Sequence, residues 1–237
     1  MPGYSPADNL SSTTQYENGF IVLDVSLLIE CFIVYVYDNT IDEYLQVNQV
    51  SNDKKTNLVW IDLEMTGLED NHVIIEVASM VTDSDLNEIA TGPVIAIKRS
   101  TQEIEDINEW SLEQHTKSGL LKRVRESSTT IDQADSMTVE FLKNWVEEEK
   151  SPICGNSIGT DRRFIRREMP LLDKFLHYRM IDVSTIKELA SRWYKTLKIP
   201  SKESEHLALA DIKESISELK WYRENIFVEN NVTSPEE

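Results

Sequence analysis

Residues 58–68 read LVWIDLEMTGL. Leu58, Val59, Trp60 and Ile61 supply apolar side chains to both faces of an extended segment, which predicts a strand buried inside a sheet. Alternation then throws Asp62 and Glu64 onto one face and Ile61 and Leu63 onto the other. On a solvated edge the acidic pair would be ordinary surface charge. In a buried strand an acid needs a partner or a cation. Thr66-Gly67 marks the turn that follows.

Outward from this strand, Val73 to Thr82 (VIIEVASMVT) and Val94 to Lys98 (VIAIK) read as two more, with a turn at Asp83-Ser84-Asp85. Three sequential strands predict a meander. Ile131 to Glu149 carries Ala134, Met137, Phe141, Leu142 and Trp145 at helical spacing. A short strand at Ile153-Cys154 follows. Gly159 to Glu168 reads as a helix stopped by Met169-Pro170, Tyr178 to Ile181 as a strand, and Val183 to Trp193 and Leu207 to Asn225 as helices. Strands first, then helix and strand in alternation, predict an α/β domain with a mixed sheet.

The chain has 237 residues and a formal net charge of −18. That balance opposes sequence-independent clamping of long duplex nucleic acid, which depends on many Lys and Arg contacts to phosphate. It leaves room for a short fragment. Seven glycines, of which Gly155 and Gly159 are the closest useful pair, can write neither a GxGxxG fingerprint nor a glycine-rich triphosphate loop. Cys31 and Cys154 have no zinc-type spacing and cannot build a disulfide framework, which fits a reducing compartment.

Composition changes near Lys54: residues 1–53 hold eight of the 42 acids and none of the 24 bases. This divides the chain into an acidic, poorly ordered extension (1–56), a folded domain (57–230) and a short tail (231–237). The apolar run from Phe20 to Tyr37 is interrupted by Asp24 and Glu30, each costing about 3 kcal/mol at mid-membrane, so no membrane association is expected. The extension is neither a basic-led secretory signal nor an Arg-rich transit peptide.

Two further acids stand out. Asp161 lies in GNSIGTD at the start of the Gly159 helix, where the macrodipole favours an acid in any case. Asp211 opens the last helix beside a buried stripe of Ile212, Ile216 and Leu219. His206, five residues earlier, must occupy the loop or first turn to face the same site, since five helical positions turn through about 140°. Each residue alone has an ordinary explanation. Together, four carboxylates repel, at about 4 kcal/mol for each pair 4 Å apart in an effective dielectric of 20. Magnesium resolves the conflict, because it takes hard oxygen ligands and shares them with substrate phosphates. Paired ions and a neutral imidazole as general base suit phosphodiester hydrolysis.

WIDLEMTGL (60–68), SPICGNSIGTDRRF (151–164), HYRMIDVSTIKELA (177–190) and His206 ahead of Asp211 resemble the motifs of the DEDDh 3′-to-5′ exonucleases, and within them the oligoribonucleases. The resemblance covers Asn57 to Phe227. The stretch between Arg192 and Glu205, and Leu207, depart from the family pattern and leave the catalytic set complete. It implies a ribonuclease H-like mixed sheet flanked by helices. Asp62, Glu64, Asp161 and Asp211 would hold two Mg²⁺ or Mn²⁺ ions, with His206 as general base. It also implies that Leu68 and Trp110 meet the bases of a short single-stranded RNA, Trp110 otherwise being core. Ser157, Arg179, Ser184 and Thr185 would cap its 5′-phosphate. His177, Tyr178 and Arg179 would act across a homodimer interface, in an intracellular enzyme of the cytoplasm or mitochondrion. The basic cluster of Arg162, Arg163, Arg166 and Arg167, with Lys122, Arg123 and Arg125, reads mainly as solvated helix face. The rival readings are an exonuclease acting on DNA or longer structured RNA, and a non-catalytic RNA-binding or scaffold protein.

Overall fold

The computed structural model describes residues 16–17, 20–21, 53–196, 198 and 207–227. The chain divides into two units, Met1–Val50 and Ser51–Glu237. In the first, β1 (Tyr16–Glu17) pairs antiparallel with β2 (Phe20–Ile21). The rest of the acidic extension as far as residue 52, the tail 231–237 and His206 lie outside the described residues. No helix among the described residues is long and apolar enough to cross a membrane.

The second unit runs β3 (Leu58–Met65), β4 (Ile74–Thr82), β5 (Glu88–Thr91), β6 (Ile95–Ala96), α1 (Thr101–Glu105), α2 (Glu109–Lys117), α3 (Leu120–Glu126) and α4 (Ile131–Leu142). It continues with β7 (Ile153–Gly155), α5 (Gly159–Glu168), α6 (Pro170–Phe175), β8 (Met180–Asp182), α7 (Val183–Trp193) and α8 (Ala208–Asn225). The sheet order is β5-β4-β3-β7-β8, with β6 also beside β4. β4 is antiparallel to β3, β5 and β6, whereas β7 is parallel to β3 and β8 to β7. This is the expected meander joined to a parallel half, a mixed sheet.

Alternation along β3 builds both halves of the core. Val59, Ile61 and Leu63 pack with Ala134, Leu142, Phe164 and Ile165 of α4 and α5. Trp60 points the other way, into Ala190 of α7 and Ile212, Ile216 and Tyr222 of α8. Its indole N–H donates to Thr82 Oγ1 at 3.0 Å, so its polar atom is satisfied in the interior. β4, lying between β3 and β5, is buried along its whole length.

Several boundaries differ from the expected ones. The helix begun at Ile131 ends at Leu142 rather than Glu149. There the Asn144 amide donates to the carbonyls of Glu140 and Phe141, and the Trp145 N–H bonds Leu142 O in a tight turn. Trp145 and Val146 still pack on the core, which explains why the apolar spacing outran the helix. The strand expected at Val94–Lys98 is only Ile95–Ala96, and β8 is displaced from Tyr178–Ile181 to Met180–Asp182. Pro170, read as a stop, also opens α6, where a missing N–H costs nothing.

Candidate active site

The acids of β3 face α8. The stripe of Ile212, Ile216 and Leu219 packs this helix against Trp60, Ala78 and Met80, and Asp211 in its first turn is carried to the strand. Carboxylate oxygens of Asp62, Glu64 and Asp211 lie within 4.8 Å of one another. Asp161, buried in the first turn of α5, accepts the Leu63 N–H at 3.1 Å, so its carboxylate is fixed to the backbone between Asp62 and Glu64. The structure thus brings three of the four acids into one cluster and anchors the fourth at its edge.

Burial pushes the Glu64 carboxyl up to about 8, and Asp211, Glu76 and Asp161 reinforce the shift by repulsion. Burial also raises Asp161, against the opposing effect of two backbone N–H groups. These carboxyls therefore resist ionisation until a cation joins them. The oxygen-only donor set fits a hard divalent ion.

Two supporting residues were not anticipated. Glu76, 1% exposed, stands directly opposite Glu64 on β4 and takes a 2.8 Å bond from Arg123 of α3. An acid inside the apolar run VIIEVA was the available signal. His115 of α2, equally buried, has Nε2 2.9 Å from Met65 O and Nδ1 3.7 Å from Glu64 Oε2. A carbonyl only accepts, so Nε2 carries the hydrogen and Nδ1 is turned to Glu64.

Leu68 and Trp110 are 57% and 58% exposed, so Trp110 does not belong to the core. The Leu68 loop is clamped from α5: Arg163 donates to Leu68 O, and Arg167 to the carbonyls of Asp70 and His72. Arg162 is buried, with Asp173 at 2.7 Å. The expectation of a solvated face therefore needs correcting for Arg162 alone; Arg163, Arg167 and Arg123 are exposed as expected, although each also has a structural partner. Arg166 remains exposed, 3.6 Å from Asp173.

Just past the C-terminal end of β7, the parallel neighbour of β3, Ser157 holds a left-handed backbone (φ 53°), sparsely populated for a residue with a Cβ. Asp182, the N-cap of α7, fixes it by accepting the N–H groups of both Ser157 and Ser184 at 2.9 Å. The two serine hydroxyls are 3.1 Å apart, and Thr185 is exposed one residue on. His177 and Tyr178 rings lie 4.4 Å apart, and Arg179 Nε donates to the Tyr178 hydroxyl at 3.2 Å. Tyr178 is 68% exposed, on the approach to edge strand β8.

Comparison with known proteins bears directly on this arrangement. The RNase_T family model, described as Exonuclease, matches residues 59–219. The oligoribonuclease of Pseudomonas syringae pv. syringae (strain B728a) is 56% identical over 172 residues, 72% of this chain and 96% of that protein. That of Vibrio vulnificus (strain CMCP6) is 58% identical over 173 residues, with the same coverage. The chain belongs to the oligoribonuclease family. Among solved structures, E. coli Exonuclease I in complex with a 5cy-dT13 oligonucleotide superposes with a TM-score of 0.55 at 15% identity, covering 72% of this chain and 41% of that one. Exonuclease I from Methylocaldum szegediense gives 0.54 at 16%, with the same coverage. These likenesses establish the ribonuclease H-like fold. The acid cluster, Trp110 and the Ser157–Ser184 corner of this oligoribonuclease-family chain all lie within the matched exonuclease region.

Proposed function

We propose that this 3′-to-5′ exoribonuclease degrades short oligoribonucleotides, dinucleotides foremost, to 5′-mononucleotides. Asp62, Glu64, Asp161 and Asp211 would hold two Mg²⁺ or Mn²⁺ ions, and His206 would be the general base. The carrying observation is the carboxylate cluster within 4.8 Å, with Glu64 raised to about 8. When bound, such ions polarise the scissile phosphate and lower the pKa of the attacking water.

The remaining roles fall to the chain. Leu68 and Trp110 offer exposed apolar surface on which bases stack without regard to sequence. Ser184 and Thr185 in the first turn of α7, with Ser157 held beside Ser184, form the cap of the 5′-phosphate, and the Arg179 guanidinium neutralises it. His177, Tyr178 and Arg179 serve the site of a second copy in a homodimer. Support comes from exposed Tyr178 and Met180 beside edge strand β8, which among the described residues pairs only with β7. A substrate made of RNA fragments from turnover inside the cell fits an enzyme of the cytoplasm or mitochondrion.

Turnover of a 5′-phosphorylated RNA dinucleotide should exceed that of a twenty-nucleotide RNA and of a DNA strand, and chelation should abolish all three. Faster degradation of the DNA would favour a DNA exonuclease instead. Activity surviving chelation would remove the metals from the reaction.

A further inference from the structure

Glu218 of α8 is a buried acid that the chemistry above does not use; it is 6% exposed. Its carboxylate accepts the Tyr222 hydroxyl at 3.0 Å and the Asn156 side-chain amide at 3.1 Å, with Lys187 Nζ at 3.4 Å. The same Asn156 nitrogen donates to Ser215 Oγ at 2.8 Å, whose own hydrogen goes to the Asp211 carbonyl. With both acceptors on one side, the amide has a single orientation that satisfies it. Nδ2 faces α8 and Oδ1 faces α7. There Oδ1 accepts the Ser184 hydroxyl at 3.0 Å.

A hydroxyl has one hydrogen. Because Ser184 gives its hydrogen to Asn156, the 3.1 Å contact between Ser184 and Ser157 must have Ser157 as donor. The geometry points to Glu218 and Asn156 as positioning residues that set 5′-phosphate specificity. They fix the polarity of this hydroxyl chain, so that Ser157 is the member able to turn its hydrogen to a terminal phosphate oxygen while Ser184 stays anchored. This inference rests on the phosphate-cap reading of Ser157 and Ser184. Without Glu218 the Asn156 amide keeps only Ser215 Oγ on that side, a hydroxyl that can donate as well as accept, so the amide can turn over and then presents N–H to Ser184. The hydroxyl chain would run in either direction.

The test is the ratio of kcat/KM for a 5′-phosphorylated RNA dinucleotide to that for its 5′-hydroxyl analogue, in wild type, Asn156→Ala and Glu218→Gln. Misplacing one hydrogen bond to a charged group is worth about 10-fold. Asn156→Ala should therefore lower the ratio by about 10-fold, through KM of the phosphorylated substrate, and leave turnover of the hydroxyl analogue within about 2-fold. Glu218→Gln, which preserves shape should the alanine variant fold poorly, should lower it less but in the same direction. An unchanged ratio in both variants, with wild type discriminating, would overturn the relay while leaving the cap standing. Equal losses on both substrates would mean a merely structural role and overturn it too. A wild type indifferent to the 5′-phosphate would overturn the cap itself, and the relay with it.

Discussion

The two ends of the site handle charge in opposite ways. Around Asp62, Glu64 and Asp211 the fold sets half-buried carboxylates against one another, and the Glu64 carboxyl is pushed up to about 8. At the Ser157–Ser184 corner, Asp182 takes two backbone N–H groups, and each serine hydroxyl has a neighbour. One region is frustrated without a cation. The other is satisfied before any substrate arrives. On the proposed reading, the contrast teaches that the chain spends stability where it would hold a metal, and gains it where it would receive a phosphate in a fixed geometry.

The largest effect is expected from substitution within the acid cluster. Glu64→Gln should lower dinucleotide turnover by about 10³-fold or more, since several kcal/mol of charge stabilisation depend on the ions. At pH 8 the same change should raise the melting temperature of the chelated protein, because a neutral amide removes the repulsion. A variant both inactive and less stable without metal would deny the frustration. His206→Ala should slow the chemical step by about 10²- to 10⁴-fold and leave Mn²⁺ affinity nearly unchanged. Single-turnover kinetics beside equilibrium metal binding separate those effects, and wild-type rates would remove His206 from the mechanism.

At the satisfied corner the expected sign is reversed. Asp182→Ala should destabilise the fold by about 1–2 kcal/mol in denaturant unfolding, through loss of the α7 cap and of the bond that holds Ser157 left-handed. No loss would mean that this corner does not contribute as its hydrogen bonds imply.

Stability should also depend on pH. Glu64 and Asp161 bind protons more tightly folded than unfolded, so between the unfolded carboxyl range and about 8 the native state holds more protons. Stability of the chelated protein should then fall as pH rises through that window, by several degrees of melting temperature. Added Mn²⁺ should stabilise more at pH 8.5 than at pH 5.5. A chelated protein equally stable across the window would contradict the raised carboxyls.

Much of this was legible in the sequence, for physical reasons that differ by element. β3 could be read because LVWI is apolar on both faces, and α5 and α7 because a Pro stop and an Asp cap bracket them. β5, four residues with exposed ends on the sheet edge, carries no pattern to read. α1 was missed although its capping box, Ser100 with Glu103, was written out. Strand alternation pairs Asp62 with Glu64, but fixing Asp161 and Asp211 beside them took the resemblance, since those contacts join segments about 100 and 150 residues apart. Glu76 had a local signal in its apolar strand. Asn156 and Glu218 had none, because their meaning lies in a bond spanning 62 positions.

Repelling carboxylates that hold divalent cations should bind them in the absence of substrate. Mn²⁺ titration followed by electron paramagnetic resonance, on wild type and on Asp62→Asn, tests it most directly. Two saturable ions per wild-type chain are expected, with loss of at least one in the variant. Identical binding by the two proteins, or none by the wild type, would contradict it.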